Sequence, residues 1–289
     1  MIIDMHTHPY EVSAEYLPIR TREEAKKYTT GRPTDLWDGW VEKMIELGID
    51  RAVVFGALVD NDFVAEMVRK YAPYLIGFAY LFPTEGDRAV EELERCVKDL
   101  GLKGVKLITF YQAIPFDSPF VWKVLEKAQE LKVPVVFDCW DIHDDERPIM
   151  NDPRVKRAGD PEVYKDLKFN LHDPLRLFLG DFLDGLEDLT IIAAHMGGYA
   201  PLYEEIPEKR LKQFYFDTAW WYDDAFFAKA AESHREKTEQ MIEKVGADKI
   251  LFGSDDLQEP ALRFMSSIQM SDEERAKIMG ENAARLLGL

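Results

Sequence analysis

Eight short apolar runs rich in β-formers recur along the chain, and amphipathic stretches of helical period separate them. The runs span residues 1–5, 51–55, 75–81, 104–108, 133–137, 189–194, 213–216 and 249–252. The helical stretches include 35–47, 63–71, 87–100, 119–131 and 233–245. Strict β-α alternation dictates parallel strands joined by right-handed crossovers. Eight such units predict an α/β fold of the closed (β/α)8 type, a TIM barrel, although six to eight also suit a doubly wound sheet. The 289 residues match one barrel with loop elaboration. No linker, charge block or repeat marks a second unit, so a single domain over 1–289 is expected.

Three connections are long: 9–34, 138–171 and 217–232. Each follows the carboxyl end of a predicted strand, the face on which such barrels carry their sites. These loops hold Tyr10, Tyr16, Trp140, Tyr164, Trp220, Trp221, Tyr222, Phe226 and Phe227. The aromatics either pack the loops down or wall a pocket, with Trp140 and Trp220 as candidate substrate contacts.

Composition excludes some partners. A formal net charge of −18 leaves no basic footprint for displacing counterions from nucleic acid. No run approaches the roughly 18 apolar residues of a membrane span. The amino terminus lacks a basic region and a cleavage site, and two cysteines, Cys96 and Cys139, make no disulfide framework. A cytoplasmic protein acting on a small molecule is expected, with homo-oligomerisation left open.

The strongest local signal is Asp4-Met5-His6-Thr7-His8 at the end of the first strand. Strand side chains alternate, so His6 and His8 point to one side and can chelate one ion. A second signal is the apolar strand ending at His195 before Gly197-Gly198. A third is Phe252-Gly253-Ser254-Asp255-Asp256, where a buried strand delivers two carboxylates that need a cation or a proton. His172, before a predicted helix, either caps that helix or faces substrate. His234, among Glu232, Arg235, Glu236 and Lys237, is expected on a solvated face. Asp217 ends the seventh strand and is placed to orient a ligand or water.

Together with the closing Gly280-Glu281-Asn282-Ala283-Ala284-Arg285-Leu286, these motifs resemble the amidohydrolase superfamily nearly end to end. The branch they resemble contains aminocarboxymuconate semialdehyde decarboxylase and related aromatic-acid decarboxylases, lactonases and hydrolases. The resemblance implies a divalent ion (Zn, Mn or Fe, one in preference to two) held by His6, His8 and Asp255. Asp255 would also take a proton from attacking water, and His195 would act as acid/base beside the ion. One position departs from the pattern: Asp138 stands where the branch usually has a fifth-strand histidine. Either Asp138 ligates, giving a more oxygen-rich site, or it leaves the shell and His143 or His172 enters. Lys106 occupies the strand-four site that binuclear relatives fill with a carboxylated, bridging lysine. It either bridges, making His195 a ligand of a second ion, or pairs with a carboxylate such as Asp138.

The expected reaction is hydrolysis of a small amide, lactone or ester by metal-activated water. The alternative is non-oxidative decarboxylation of a small carboxylic acid, aromatic acids included. It needs a cationic clamp, for which the loops offer Arg20, Arg22, Arg32, Arg147, Arg154 and Arg157. A second alternative is an inactive metal-binding scaffold.

Overall fold

The computed structural model describes residues 1–8, 19–28, 34–56, 60–112, 114, 116–139, 180–256 and 258–289. Nine strand segments appear in chain order: β1 Ile3–Thr7, β2 Arg51–Val54, β3 Leu75–Gly77, β4 Ala79–Tyr80, β5 Val105–Leu107, β6 Val135–Phe137, β7 Ile191–Ala193, β8 Phe214–Asp217 and β9 Ile250–Leu251. All pairings are parallel and sequential. β3 and β4 form one stave interrupted at Phe78, whose N–H still bonds Val54 O at 2.9 Å while Ala79 N–H bonds Gly104 O at 2.8 Å. The last stave returns to the first through Met5 N–H to Phe252 O, 2.8 Å. The eight staves make the expected (β/α)8 barrel.

Inside the staves, Ile3, Met5, Val53, Phe55, Ile76, Phe78, Val136, Ile192, Ala194 and Leu251 pack as one cluster. A larger cluster fills the space between the opposite strand faces and the helices, with Val54, Val105, Val135, Ile191 and Phe214 packing on Met67, Leu93, Val124 and Met241. Fully burying an aliphatic or aromatic side chain stabilises by roughly 1.5–3 kcal/mol, so these two layers hold the barrel in shape. Lys106, Val136, Ile192 and Tyr215 are neighbours across successive staves. By the two-residue period, Asp138 and Asp217 then lie one layer nearer the carboxyl mouth on the same side as that row.

The closing motif explains itself in this setting. Asn282 is buried and its Nδ2 donates to Ala247 O at 2.7 Å and Ile250 O at 2.8 Å, pinning the entry to β9. Gly280 lies so close to the Met1 carbonyl that a Cβ there would overlap it. The expected capping box forms, with Ser271 and Glu274 each satisfying the other's backbone N–H. β1 starts two residues later than the sequence pattern suggests, because Met1 is exposed and lies outside the ladder. No helix among the described residues is long and apolar enough to cross a membrane.

Candidate metal centre

β1 carries a register irregularity between Asp4 and Thr7, the stretch that holds His6. Such a bulge re-aims side chains locally. His6 Nδ1 donates to Asp217 Oδ2 at 2.8 Å, which leaves the Nε2 lone pair facing the mouth. That lone pair accepts from Lys106 Nζ at 3.2 Å and lies 3.6 Å from Asp255 Oδ1. His8 follows, with Nε2 2.8 Å from Asp255 Oδ1 and Nδ1 3.1 Å from Asp256 Oδ2. His6, His8 and Asp255 thus offer ligand atoms within 4.8 Å of one another, and His6, Asp138 and His195 form a second such group. Residues at or just past the carboxyl ends of β1, β6, β7 and β9 meet here, although more than a hundred residues separate some of them.

Several devices hold this arrangement. Asp4 is buried and its Oδ1 accepts the backbone N–H groups of His6 at 3.2 Å and Ser254 at 3.0 Å, tying β1 to the β9 turn. Burial pushes its carboxyl up to about 8. Gly253 lies against His6: a Cβ added there would be 2.9 Å from the His6 Cβ. Asp217 is the orienting carboxylate, its Oδ2 on His6 and its Oδ1 accepting from His195 N–H at 3.0 Å and Ala219 N–H at 3.1 Å. Asp255 and Asp256 adopt φ of 52° and 68°, and His195 adopts 55°. Non-glycine residues in this left-handed region cost on the order of 1–2 kcal/mol and gather at functional sites.

His195 opens a left-handed turn that runs on through Met196 (φ 54°), Gly197 (61°), Gly198 (60°) and Tyr199 (57°). The glycine pair, singled out in the sequence for backbone freedom, supplies two of the five residues. The turn aims the His195 ring so that Nδ1 meets Ala219 O at 2.9 Å and Nε2 meets Asp138 Oδ1 at 3.0 Å. A carbonyl and an ionised carboxylate only accept, so this geometry favours a proton on each ring nitrogen, the charged form of the ring. Burial opposes that charge, but the Asp138 hydrogen bond and the charges of Asp255, Asp138 and Asp217 raise the His195 pKa above its ordinary value.

Burial would also raise the carboxyls, and hydrogen bonds and nearby basic groups reverse it. Lys106, then His195, holds Asp138 well below the usual carboxylate range, and His8, His195 and His6 do the same for Asp255. Lys106 is wholly buried, 3.1 Å from Asp138 Oδ2, and its ammonium lies 4.8 Å from the centre of the Phe55 ring. The sequence alternative in which Lys106 pairs with Asp138 is the geometry found.

The donor set fits a divalent ion. Three carboxylates, Asp138, Asp217 and Asp255, gather here with Lys106 and His195, and a divalent cation would offset their negative charge. Asp138 Oδ2 is buried and accepts no hydrogen bond of good geometry despite the nearby ammonium, so a lone pair remains for an ion. Mixed imidazole and carboxylate donors suit Mn, Fe and Zn.

A cavity opens at this cluster, lined by His195, Trp220, Trp221 and Asp255. Trp220, one of the loop aromatics, lies on its wall. Trp140, His143 and His172 lie outside the described residues, as do Arg32, Arg147, Arg154 and Arg157. Of the other proposed clamp residues, Arg22 is bound to Glu85 at 3.1 Å and Glu92 at 2.8 Å, and Arg20 Nε donates to Gln112 O at 3.2 Å. Neither lines the cavity; the lysine or arginine present in the metal cluster, among the described residues, is Lys106.

His234 corrects the sequence reading. It is 6 % exposed, not solvated, and belongs to a buried stripe with Thr238, Met241, Ile242 and Val245. That stripe has helical period, and the flanking charges on the other faces concealed it. Asp4, Gly253, Tyr199 and His234 are the site residues that sequence reasoning left without a role. Asp4 alone had a signal, since it precedes His6 by one strand period.

A family model described as amidohydrolase matches residues 3–289. The chain belongs to the amidohydrolase family. Among curated relatives, this amidohydrolase is 28 % identical over 256 residues to a gamma-resorcylate decarboxylase from Polaromonas sp., covering 79 % of this chain and 75 % of that one. A Rhizobium sp. gamma-resorcylate decarboxylase is also 28 % identical, over 255 residues and the same shares. Among solved structures, the amidohydrolase superposes with a TM-score of 0.68 and 23 % identity on the Polaromonas dihydroxybenzoic acid decarboxylase with bound manganese and the inhibitor 2-nitroresorcinol, covering 100 % and 97 % of the two chains. It also superposes on 5-carboxyvanillate decarboxylase from Sphingomonas paucimobilis, with a TM-score of 0.69, 15 % identity and 100 % of both chains covered. These relatives overturn the expectation of hydrolysis: they break a carbon–carbon bond, so the family's metal centre does not by itself imply attack by water.

Proposed function

We propose that this amidohydrolase is a metal-dependent, non-oxidative decarboxylase of a small aromatic carboxylic acid, with hydroxylated benzoic acids as the substrate class. The observation that carries the reading is the likeness to gamma-resorcylate decarboxylases over four-fifths of the chain, joined to an aromatic-walled cavity at the cation-fitting cluster. His6, His8 and Asp255 would hold the ion, with Asp138 as the fourth protein donor. The bound ion would supply Lewis-acid binding of the substrate's anionic oxygens.

The chain's own groups account for the remaining chemistry. Trp220 and Trp221 bind and orient the planar ring and exclude water from the cavity. Lys106 is placed to neutralise carboxylate charge. Decarboxylation needs one proton delivered to the ring carbon that carries the carboxylate; the bond to that carboxyl carbon then breaks and its electron pair restores the aromatic ring, releasing carbon dioxide. His195, lining the cavity, is the proton donor in this reading, and Asp217 and Asp138 hold its orientation. The family match from residue 3 to the end accords with one barrel domain over 1–289. Two buried, unpaired cysteines suit a cytoplasmic location.

The test is direct. Manganese-loaded protein is offered 2,6-dihydroxybenzoate and related hydroxybenzoates in D2O, and carbon dioxide and product are quantified. Equimolar carbon dioxide and arene, with one deuterium at the former carboxyl position, is the expected result. Failure to release carbon dioxide from any of these acids, with metal bound, overturns the reading.

A further inference from the structure

Behind the cavity wall lies a buried histidine that the chemistry above does not use. The Tyr199 hydroxyl is 2.8 Å from His234 Nδ1 and 3.0 Å from Nε2. Thr238 Oγ1 lies 3.1 Å from the same hydroxyl and donates to His234 O at 2.8 Å. Burial lowers the His234 pKa to about 3, so the ring is neutral and accepts a hydrogen bond from the Tyr199 hydroxyl. Trp220 packs on this ring, centroids 4.5 Å apart and planes at 42°, and its centroid lies 6.2 Å from that of Tyr199. Trp220 also meets the His195 ring edge-on at 6.1 Å. Phe226 and Phe264 surround His234 at 5.2 and 5.1 Å.

This is a closed circuit. Tyr199 ends the left-handed turn that His195 begins, and Trp220 sits on a segment outside helix and strand, after β8. No backbone ladder sets the indole's orientation there, so its side-chain contacts must. A phenylalanine at 234 would fill a similar volume among these rings; the imidazole adds a lone pair that the Tyr199 hydroxyl satisfies. Buried polar bonds that are satisfied select one arrangement of a core.

We propose that His234 and Tyr199 are positioning residues that fix Trp220 as the flat wall of the cavity, set its spacing from His195, and so decide selectivity for a planar ring. The identity of that ring rests on the decarboxylase reading; the positioning does not. The test uses His234→Phe and Tyr199→Phe in full-length, manganese-loaded protein labelled with 5-fluorotryptophan. The chain has 6 tryptophans, and Trp220→Phe assigns the resonance of interest.

The expected result is a shifted or broadened Trp220 fluorine resonance in both variants, with unchanged manganese content. KM for 2,6-dihydroxybenzoate and Kd for 2-nitroresorcinol should rise by up to about tenfold, the scale of one aromatic contact, while kcat changes far less. A lowered melting temperature with the Trp220 resonance, KM and Kd unmoved reduces the pair to a stability role and overturns the proposal. Wild-type protein that releases no carbon dioxide counts against decarboxylation alone. The Trp220 resonance then decides the positioning claim, which falls if neither variant moves it.

Discussion

Asp138 Oδ1 accepts a hydrogen bond from His195 Nε2 at 3.0 Å, joining the ends of the neighbouring strands β6 and β7 at the mouth of the barrel. The same carboxylate faces the Lys106 ammonium through its other oxygen. Converting Asp138 to asparagine keeps the shape and removes the charge that supports both partners. The expected outcome for Asp138→Asn is a fall in kcat of about 10–100-fold, the range for residues that orient and tune a metal site. Steady-state carbon dioxide release, with metal content measured on the same sample, checks it; an unchanged kcat at full metal loading contradicts the assigned role.

Removal of the ion should destabilise the protein, because the buried carboxylates lose the cation that offsets them. Adding manganese at about 100 times its Kd to stripped protein should stabilise it by about 2.7 kcal/mol. His6→Ala and His8→Ala should each abolish most of that gain. Thermal unfolding with and without manganese reads this, and an undiminished manganese shift in both variants would exclude them as ligands.

Gly253 packs directly against the His6 side chain. Gly253→Ala places a methyl group 2.9 Å from the His6 Cβ, with Ala219 N only 3.2 Å away on another side. Neither neighbour is the free end of a flexible chain, so His6 must move. Overpacking of this kind costs typically 1–3 kcal/mol. Urea unfolding should show that loss, and manganese affinity should fall with it; wild-type values for both would show that the turn yields freely.

His234 makes stability pH-dependent in a defined window. Its folded pKa lies near 3 and its ordinary value is 6.5, so below 6.5 the unfolded chain takes up a proton that the folded chain refuses. The stability it contributes is therefore whole above 6.5 and is lost as pH falls toward about 3, at up to ~1.4 kcal/mol per pH unit. Lys237 and His195 are the charged groups that reinforce the shift, while the Tyr199 and Tyr222 rings pack edge-on against the imidazole. His234→Phe should flatten the difference in unfolding free energy between pH 7 and pH 4. An identical pH slope in wild type and variant argues against a buried neutral imidazole.

Much of this molecule was legible in the chain itself. Eight apolar runs spaced by helical repeats dictate a parallel barrel, because period and alternation are local properties that survive without any tertiary information. The same locality made His6, His8, His195 and Asp255 stand out, since each ends a strand and strand ends of such barrels share one mouth. Asn282 and Gly280 were visible as a motif, but what they hold, the β9 carbonyls and the chain start, was not.

Relations between distant side chains were decided only by the fold. That Lys106 pairs with Asp138, that Asp217 serves both His6 and His195, and that Asp4 ties β1 to the β9 turn depend on stave order and a local bulge, which no single segment encodes. His234 was misjudged because its buried stripe runs through a helix whose other faces are charged, and burial depends on what packs against it. The type of reaction lay beyond both: hydrolysis and decarboxylation ask for the same ligands, and the difference rests on which molecule fills a cavity walled by Trp220 and His195. Local pattern sets backbone geometry, whereas charge state and reactivity arise from neighbours that only three-dimensional packing brings together.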